Sequence, residues 1–230
     1  MKTVGIVGGI GPESTIEYYR FIIEDFRRRQ TDRSYPRIII NSVDLHQLIG
    51  WINAGELGPF ADYLAAAVAQ LADAGADFAV LAANTAHIVF DQLSARSRIP
   101  LLSIAAATCE RARTLGLQRP GLLGTRFTME AEFYPDLFSR EGLTIVTPNE
   151  AERVFINEKY FGELLQNIFL PETREQLLGI VNRMKQRDAI DGLILGGTEL
   201  PLILRDAASD LPFLDTTRIH VERIVDELFS

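Results

Sequence analysis

Short β-branched runs alternate with longer stretches of helical period along the whole chain, and two of the strand-like runs occur twice. Gly5-Ile6-Val7-Gly8-Gly9 is matched by Gly121-Leu122-Leu123-Gly124-Thr125, each an apolar run closed by a glycine turn ahead of a helical stretch. Asp77-Phe78-Ala79-Val80-Leu81-Ala82-Ala83-Asn84-Thr85 is matched by Asp191-Gly192-Leu193-Ile194-Leu195-Gly196-Gly197-Thr198-Glu199, each ending in small residues and a hydroxyl. The spacing is kept as well, 76 positions from Gly8 to Asn84 and 74 from Gly124 to Thr198. Such alternation predicts an α/β fold with mostly parallel sheets flanked by helices, because parallel neighbours need a helix-length crossover. The repeat predicts two pseudo-symmetric lobes, its period being far longer than the roughly 20–50 residues of a solenoid unit. The alternative is that strand and glycine punctuation are merely what all βα units share.

On this reading residues 1–98 with 212–230 form an N-terminal lobe and residues 99–211 a C-terminal lobe. Strands are expected over 3–7, 37–41, 78–81, 101–104, 120–123, 144–146, 192–195 and 213–214. Helices are expected over 14–29, 60–74, 87–94, 105–115, 129–139, 159–169, 173–186 and 218–229. Ligands of such sheets bind outside the carboxyl ends of the strands, beside helix N-termini, so a cleft between the lobes is the expected site.

A net charge of −8 argues against a nucleic-acid partner, which needs a concentrated basic surface to neutralise phosphates. The one compact basic cluster, Arg27, Arg28, Arg29 and Arg33, follows an apolar-periodic stretch and reads as the end of a helix, where cations suit the macrodipole. No apolar run approaches the roughly 18 residues of a membrane span, so no membrane partner is expected. The apolar part of the first residues is too short for a secretory signal, and the single cysteine, Cys109, cannot close an internal disulfide. Cytoplasmic residence is the expectation.

The loop Gly8-Gly9-Ile10-Gly11-Pro12-Glu13-Ser14-Thr15 lies between a strand and a helix and offers backbone N–H groups to an anion or a simple tight turn. It does not complete a dinucleotide fingerprint, and no phosphate-loop lysine follows. Asn84-Thr85-Ala86-His87 brings an amide, a hydroxyl and an imidazole to a strand end, and Gly196-Gly197-Thr198-Glu199 does the like in the second half. Either segment orients a carboxylate or serves as a helix cap. His46, His87 and His220 lack metal-ligand spacing, no nucleophile elbow is present, and Cys109 reads as a buried small hydrophobe.

These two segments, the glycine loop, Leu123-Gly124-Thr125-Arg126-Phe127-Thr128-Met129 and Asp215-Thr216-Thr217-Arg218-Ile219-His220 together resemble the aspartate/glutamate racemase family, in family order from the first strand to the last helix. The resemblance implies two pseudo-symmetric α/β lobes with a cofactor-independent site between them, in a homodimer, acting on a small acidic amino acid or related dicarboxylate. It implies that Asn84, Thr85, Thr125, Thr128 and Thr198 hold the α-carboxylate, that Lys159 meets a second carboxylate, and that Ser14 and Glu199 contribute to the amino group or to orientation. The read-from-residues alternative for Lys159 is a solvated helix face.

The family's usual chemistry uses two cysteines on opposite faces of the substrate, and here Ala83 and Gly197 stand at those positions. Neither side chain carries a proton. His87, Glu199, Asp44 and His220 are the nearby titratable groups, with His87 and Glu199 the leading acid–base candidates. The implied activity is a cofactor-independent isomerase with non-cysteine acid–base groups. The alternatives are a catalytically inactive amino-acid-binding protein and an inactivated variant lacking the cysteines.

Overall fold

A computed structural model of the chain describes residues 1–30, 32–204 and 209–230. The chain divides into two compact units, Met1–Ile104 with His220–Ser230, and Ala105–Ile219. The fold is α/β, with parallel sheets flanked by helices.

Unit 1 holds strands β1 (Thr3–Gly8), β2 (Arg37–Ser42), β3 (Phe78–Leu81) and β4 (Leu101–Leu102), in the order β2-β1-β3-β4 and all parallel. Helices α1 (Pro12–Arg29), α2 (Leu45–Ala54), α3 (Leu57–Asp73) and α4 (Phe90–Arg96) make the connections. Strands β1 and β3 are buried along their whole length, which is why their sequences are continuous apolar runs without alternation. Tyr18, Ile22 and Phe26 project from α1 at helical spacing into a cluster with Val4, Ile6, Phe78, Val80, Val221 and Ile224. Each such side chain contributes about 1.5–3 kcal/mol by leaving water. Pro12 opens α1, where its missing N–H costs nothing, and three arginines close it.

Unit 2 holds β5 (Pro120–Gly124), β6 (Gly192–Gly196) and β7 (Phe213–Asp215), again parallel and in the order β5-β6-β7. Its helices are α5 (Ile104–Thr114), α6 (Arg126–Glu130), α7 (Phe133–Arg140), α8 (Glu150–Gly162), α9 (Pro171–Asp188) and α10 (Leu200–Leu204), and α11 (Thr216–Phe229) starts here and ends in unit 1. Ile156, Tyr160, Leu177, Ile180 and Met184 from α8 and α9 pack in one cluster with Leu193 and Leu195 of β6. Ala112, Tyr134 and Phe138 from α5 and α7 form another with Leu122 and Ile194, so both faces of the sheet are covered.

The repeated sequences occupy matching places. β1 pairs with β3 as β5 pairs with β6. Asp77, just before β3, accepts the backbone N–H of Thr3 at 2.6 Å, and Asp191, just before β6, accepts those of Gln118 and Arg119 at 2.5 and 3.0 Å. In each unit an aspartate ahead of one strand thus satisfies the free backbone donors at the entry of its neighbour.

Several elements differ from the sequence expectation. The 144–146 run forms only an isolated bridge from Val146 to Gly121. The helix expected over 129–139 is broken into α6 and α7, and that over 87–94 begins as a 3-10 turn, Thr85–Val89, before α4. Helix α8 covers 150–162 rather than starting at 159, because Asn149 and Glu152 form a reciprocal capping box. Among the described residues no helix is long and apolar enough to cross a membrane.

Candidate functional site

The end of β3 runs through Ala82 and Ala83 into Asn84 and the 3-10 turn. Asn84 is buried, Ala83 and Thr85 are partly exposed, and His87 is almost wholly buried. His87 Nε2 accepts the backbone N–H of Ile104 at 3.1 Å, which makes Nδ1 the protonated nitrogen, and Nδ1 donates to the Ala83 carbonyl at 3.0 Å. Burial pushes its pKa down to about 4. Both ring nitrogens therefore serve the backbone, and the side chain ties Ala83 to Ile104, the first residue of α5.

His220 behaves alike with the opposite tautomer. Its Nε2 donates to the Leu102 carbonyl at 3.1 Å, leaving Nδ1 to accept the Tyr18 hydroxyl at 2.8 Å. Burial and the neighbouring His87 ring, 6.4 Å away, push it down to about 3. Asp44, the remaining acidic candidate in this unit, is exposed and caps α2 by accepting the His46 N–H at 2.8 Å.

In the glycine loop, the Gly9 N–H donates to Thr15 Oγ1 at 2.9 Å, so one of the donors suited to an anion is used within the loop. Gly11 has φ +89°, a left-handed value that favours glycine, and Ser14 is buried in the first turn of α1.

In unit 2, Thr125 caps α6 by accepting the Thr128 N–H at 3.3 Å, and the two hydroxyls lie 3.1 Å apart. Thr128 is fully buried. Beyond β6 come Gly197, Thr198 and the buried Glu199. Tyr160, on the buried face of α8, donates its hydroxyl to Glu199 Oε2. Its phenol is pushed well above the ordinary value by burial and then by the Glu199 charge. A Cβ at Gly197 would lie 1.9 Å from the Tyr160 oxygen and 2.8 Å from its Cζ, so no side chain fits at 197 while Tyr160 stands there. Beyond β7, Thr217 Oγ1 is buried with no hydrogen-bond partner among the described residues. A buried hydroxyl left so costs about 1–3 kcal/mol.

The sequence reading gave no individual role to Tyr160 or to Thr217, although the latter lies in the Asp215–His220 segment. The signal for Tyr160 was its place four residues after Ile156 on the apolar face of α8, which reads as core. Lys159, its neighbour, sits near the end of α8, partly exposed and ion-paired with Glu163. Cys109 is buried, and burial first, then Glu141, pushes its thiol up to about 11, so it is no thiolate at neutral pH. Among the described residues no three His, Cys, Asp or Glu side chains converge as a metal-ligand set.

The parallel strands thus end in amide and hydroxyl groups in both units, Asn84 and Thr85 after β3, Thr125 and Thr128 after β5, Thr198 after β6. Solved structures share this fold. A Yersinia pestis protein described only by likeness to Asp/Glu racemases matches at 33% identity over the whole of both chains with a TM-score of 0.92. An aspartate racemase homologue from Pyrococcus horikoshii matches at 32% identity, again over all of both chains, with a TM-score of 0.87. The broad specificity amino-acid racemase RacX of Bacillus subtilis is 21% identical over 93% of this chain and 92% of its own. The sequence profile of Asp/Glu/hydantoin racemases matches residues 7–224, and the chain belongs to that family.

Proposed function

We propose that the protein is a cofactor-independent isomerase that binds an acidic amino acid or related dicarboxylate and moves its α-proton with groups other than cysteine. The observation that carries this reading is the set of uncharged donors at the strand ends. Asn84, Thr85, Thr125, Thr128 and Thr198 hold the α-carboxylate, and Ser14 and Glu199 orient the amino group. Lys159 takes the second carboxylate by exchanging its Glu163 partner. Local donors of this kind are what an anion needs on a chain of charge −8, where the overall field repels it. The carbanion formed by α-proton loss is stabilised by oriented donors at the carboxylate.

A second reading, an amino-acid-binding protein without turnover, is favoured by Ala83 and Gly197 and by the commitment of both His87 nitrogens to the backbone. The experiment is NMR-detected α-proton exchange in deuterated water with L- and D-aspartate and glutamate, alongside ligand-induced thermal stabilisation. Exchange by the protein, weakened at subsaturating ligand in Lys159→Ala, is expected. Stabilisation without exchange would establish the binding protein, and the absence of both exchange and stabilisation would overturn the acidic-ligand assignment. Assembly as a homodimer and cytoplasmic residence belong to the same proposal, and sedimentation of the purified chain tests the first.

A further inference from the structure

A buried carboxylate ordinarily has a cation beside it, since burial without one is costly. Glu199 is 4% exposed, and among the described residues its side-chain partner is the Tyr160 hydroxyl, with no Lys, Arg or His paired to it. Tyr160 is buried to the same degree. The pair lies beside Gly197 and Thr198, at the carboxyl end of β6, where ligands of parallel sheets bind. The Tyr160 oxygen is 1.9 Å from the place a Cβ at 197 would take, so the phenol tip stands where the first atom of a side chain at that position would begin. The missing side chain and the buried phenol are one arrangement: Gly197 is what admits Tyr160 to Glu199.

We propose that Tyr160 and Glu199 are the proton-carrying pair of unit 2, the Tyr160 hydroxyl passing a proton between the α-carbon of the ligand and the Glu199 carboxylate. The inference rests on the isomerase reading given above. In the abstracting direction the Cα–H bond breaks and its electron pair stays on carbon. That proton bonds to the Tyr160 oxygen while the proton Tyr160 already held passes to Glu199. The phenol is neutral before and after, and the negative charge moves from Glu199 to the α-carbon. Return of a proton runs the same steps backwards. The relay avoids a phenolate beside a carboxylate, the state that burial and the Glu199 charge together oppose.

Tyr160→Phe removes one oxygen and keeps the ring that packs with Ile156 and Leu193. With aspartate and glutamate as probes, its maximal α-proton exchange rate is expected to fall about 10²–10⁴-fold, the usual range for a positioned acid–base group. Its KM and its ligand-induced thermal shift stay near those of the unaltered protein. Glu199→Gln, which keeps the phenol hydroxyl and loses the proton store, is expected to lose exchange to a similar degree, and it decides the matter if Tyr160→Phe does not fold. Exchange at the original rate in either folded variant overturns the relay while leaving the isomerase reading in place. Absence of exchange in the unaltered protein overturns both, and the thermal shift then tells a binding protein from one that takes no acidic ligand.

Discussion

Lowering the pH from 7 to 5 is expected to destabilise unit 1 through His87 and His220. Folded, they are held down to about 4 and about 3; unfolded, each returns to about 6.5. Below about pH 6.5 the unfolded chain therefore binds more protons than the folded one, and stability falls as pH falls. The contribution is complete above that value and is lost progressively down to the folded values. From 6.5 to 5, each histidine removes about 1.5 pH steps at 1.36 kcal/mol, roughly 2 kcal/mol, and the two together about 4 kcal/mol. Paired carboxylates such as Glu152 and Glu163 act mainly below this window, since their unfolded values lie near about 4. Urea unfolding followed by circular dichroism at pH 7, 6 and 5 measures the effect. Between pH 6 and 5 the slope should approach two protons, about 2.7 kcal/mol per pH unit, and His220→Gln should halve it. A stability constant to within about 0.5 kcal/mol from pH 7 to 5 would refute the buried, neutral assignment and the tautomers built on it.

Two further substitutions test the geometry of unit 2. Gly197→Ala drives a methyl to 1.9 Å from the Tyr160 oxygen. It should cost about 1–3 kcal/mol in overpacking and about 1.5–3 kcal/mol in the lost bond to the Glu199 carboxylate. In a Tyr160→Phe background the nearest atoms are ring carbons at 2.8 and 3.0 Å, so the penalty should shrink; equal penalties in both backgrounds would show the two positions to be independent. Asn149→Ala removes the capping box of α8 and should cost about 0.5–2 kcal/mol in urea unfolding, with no measurable change counting against that role.

The alternation that predicts parallel sheets is legible because β1, β3, β5 and β6 are buried on both faces and so demand uninterrupted apolar runs. The start of α8 is written in Asn149 and Glu152, the spacing of a capping box, ten residues ahead of the start expected at 159. The break between α6 and α7 is not legible at its own residues, because Ala131 and Glu132, which fall between the two helices, are ordinary helix formers and neither is Gly or Pro. At the candidate site, the amide and hydroxyl residue types at the strand ends were readable. The states of the histidines were not: the sequence offers His87 and His220 as titratable candidates, and the fold commits all four ring nitrogens to Ala83, Ile104, Leu102 and Tyr18.

The sequence by itself determined the α/β class, the family and the absence of a thiol at positions 83 and 197, since each is written in local pattern or residue identity. Only the tertiary structure decided what occupies the space at 197 and which titratable groups remain available to a ligand. Tyr160 and Glu199 are 39 residues apart in the chain, and the Tyr18–His220 contact spans 202. Protonation state follows from burial and from the donor or acceptor opposite, and neither exists until distant segments meet.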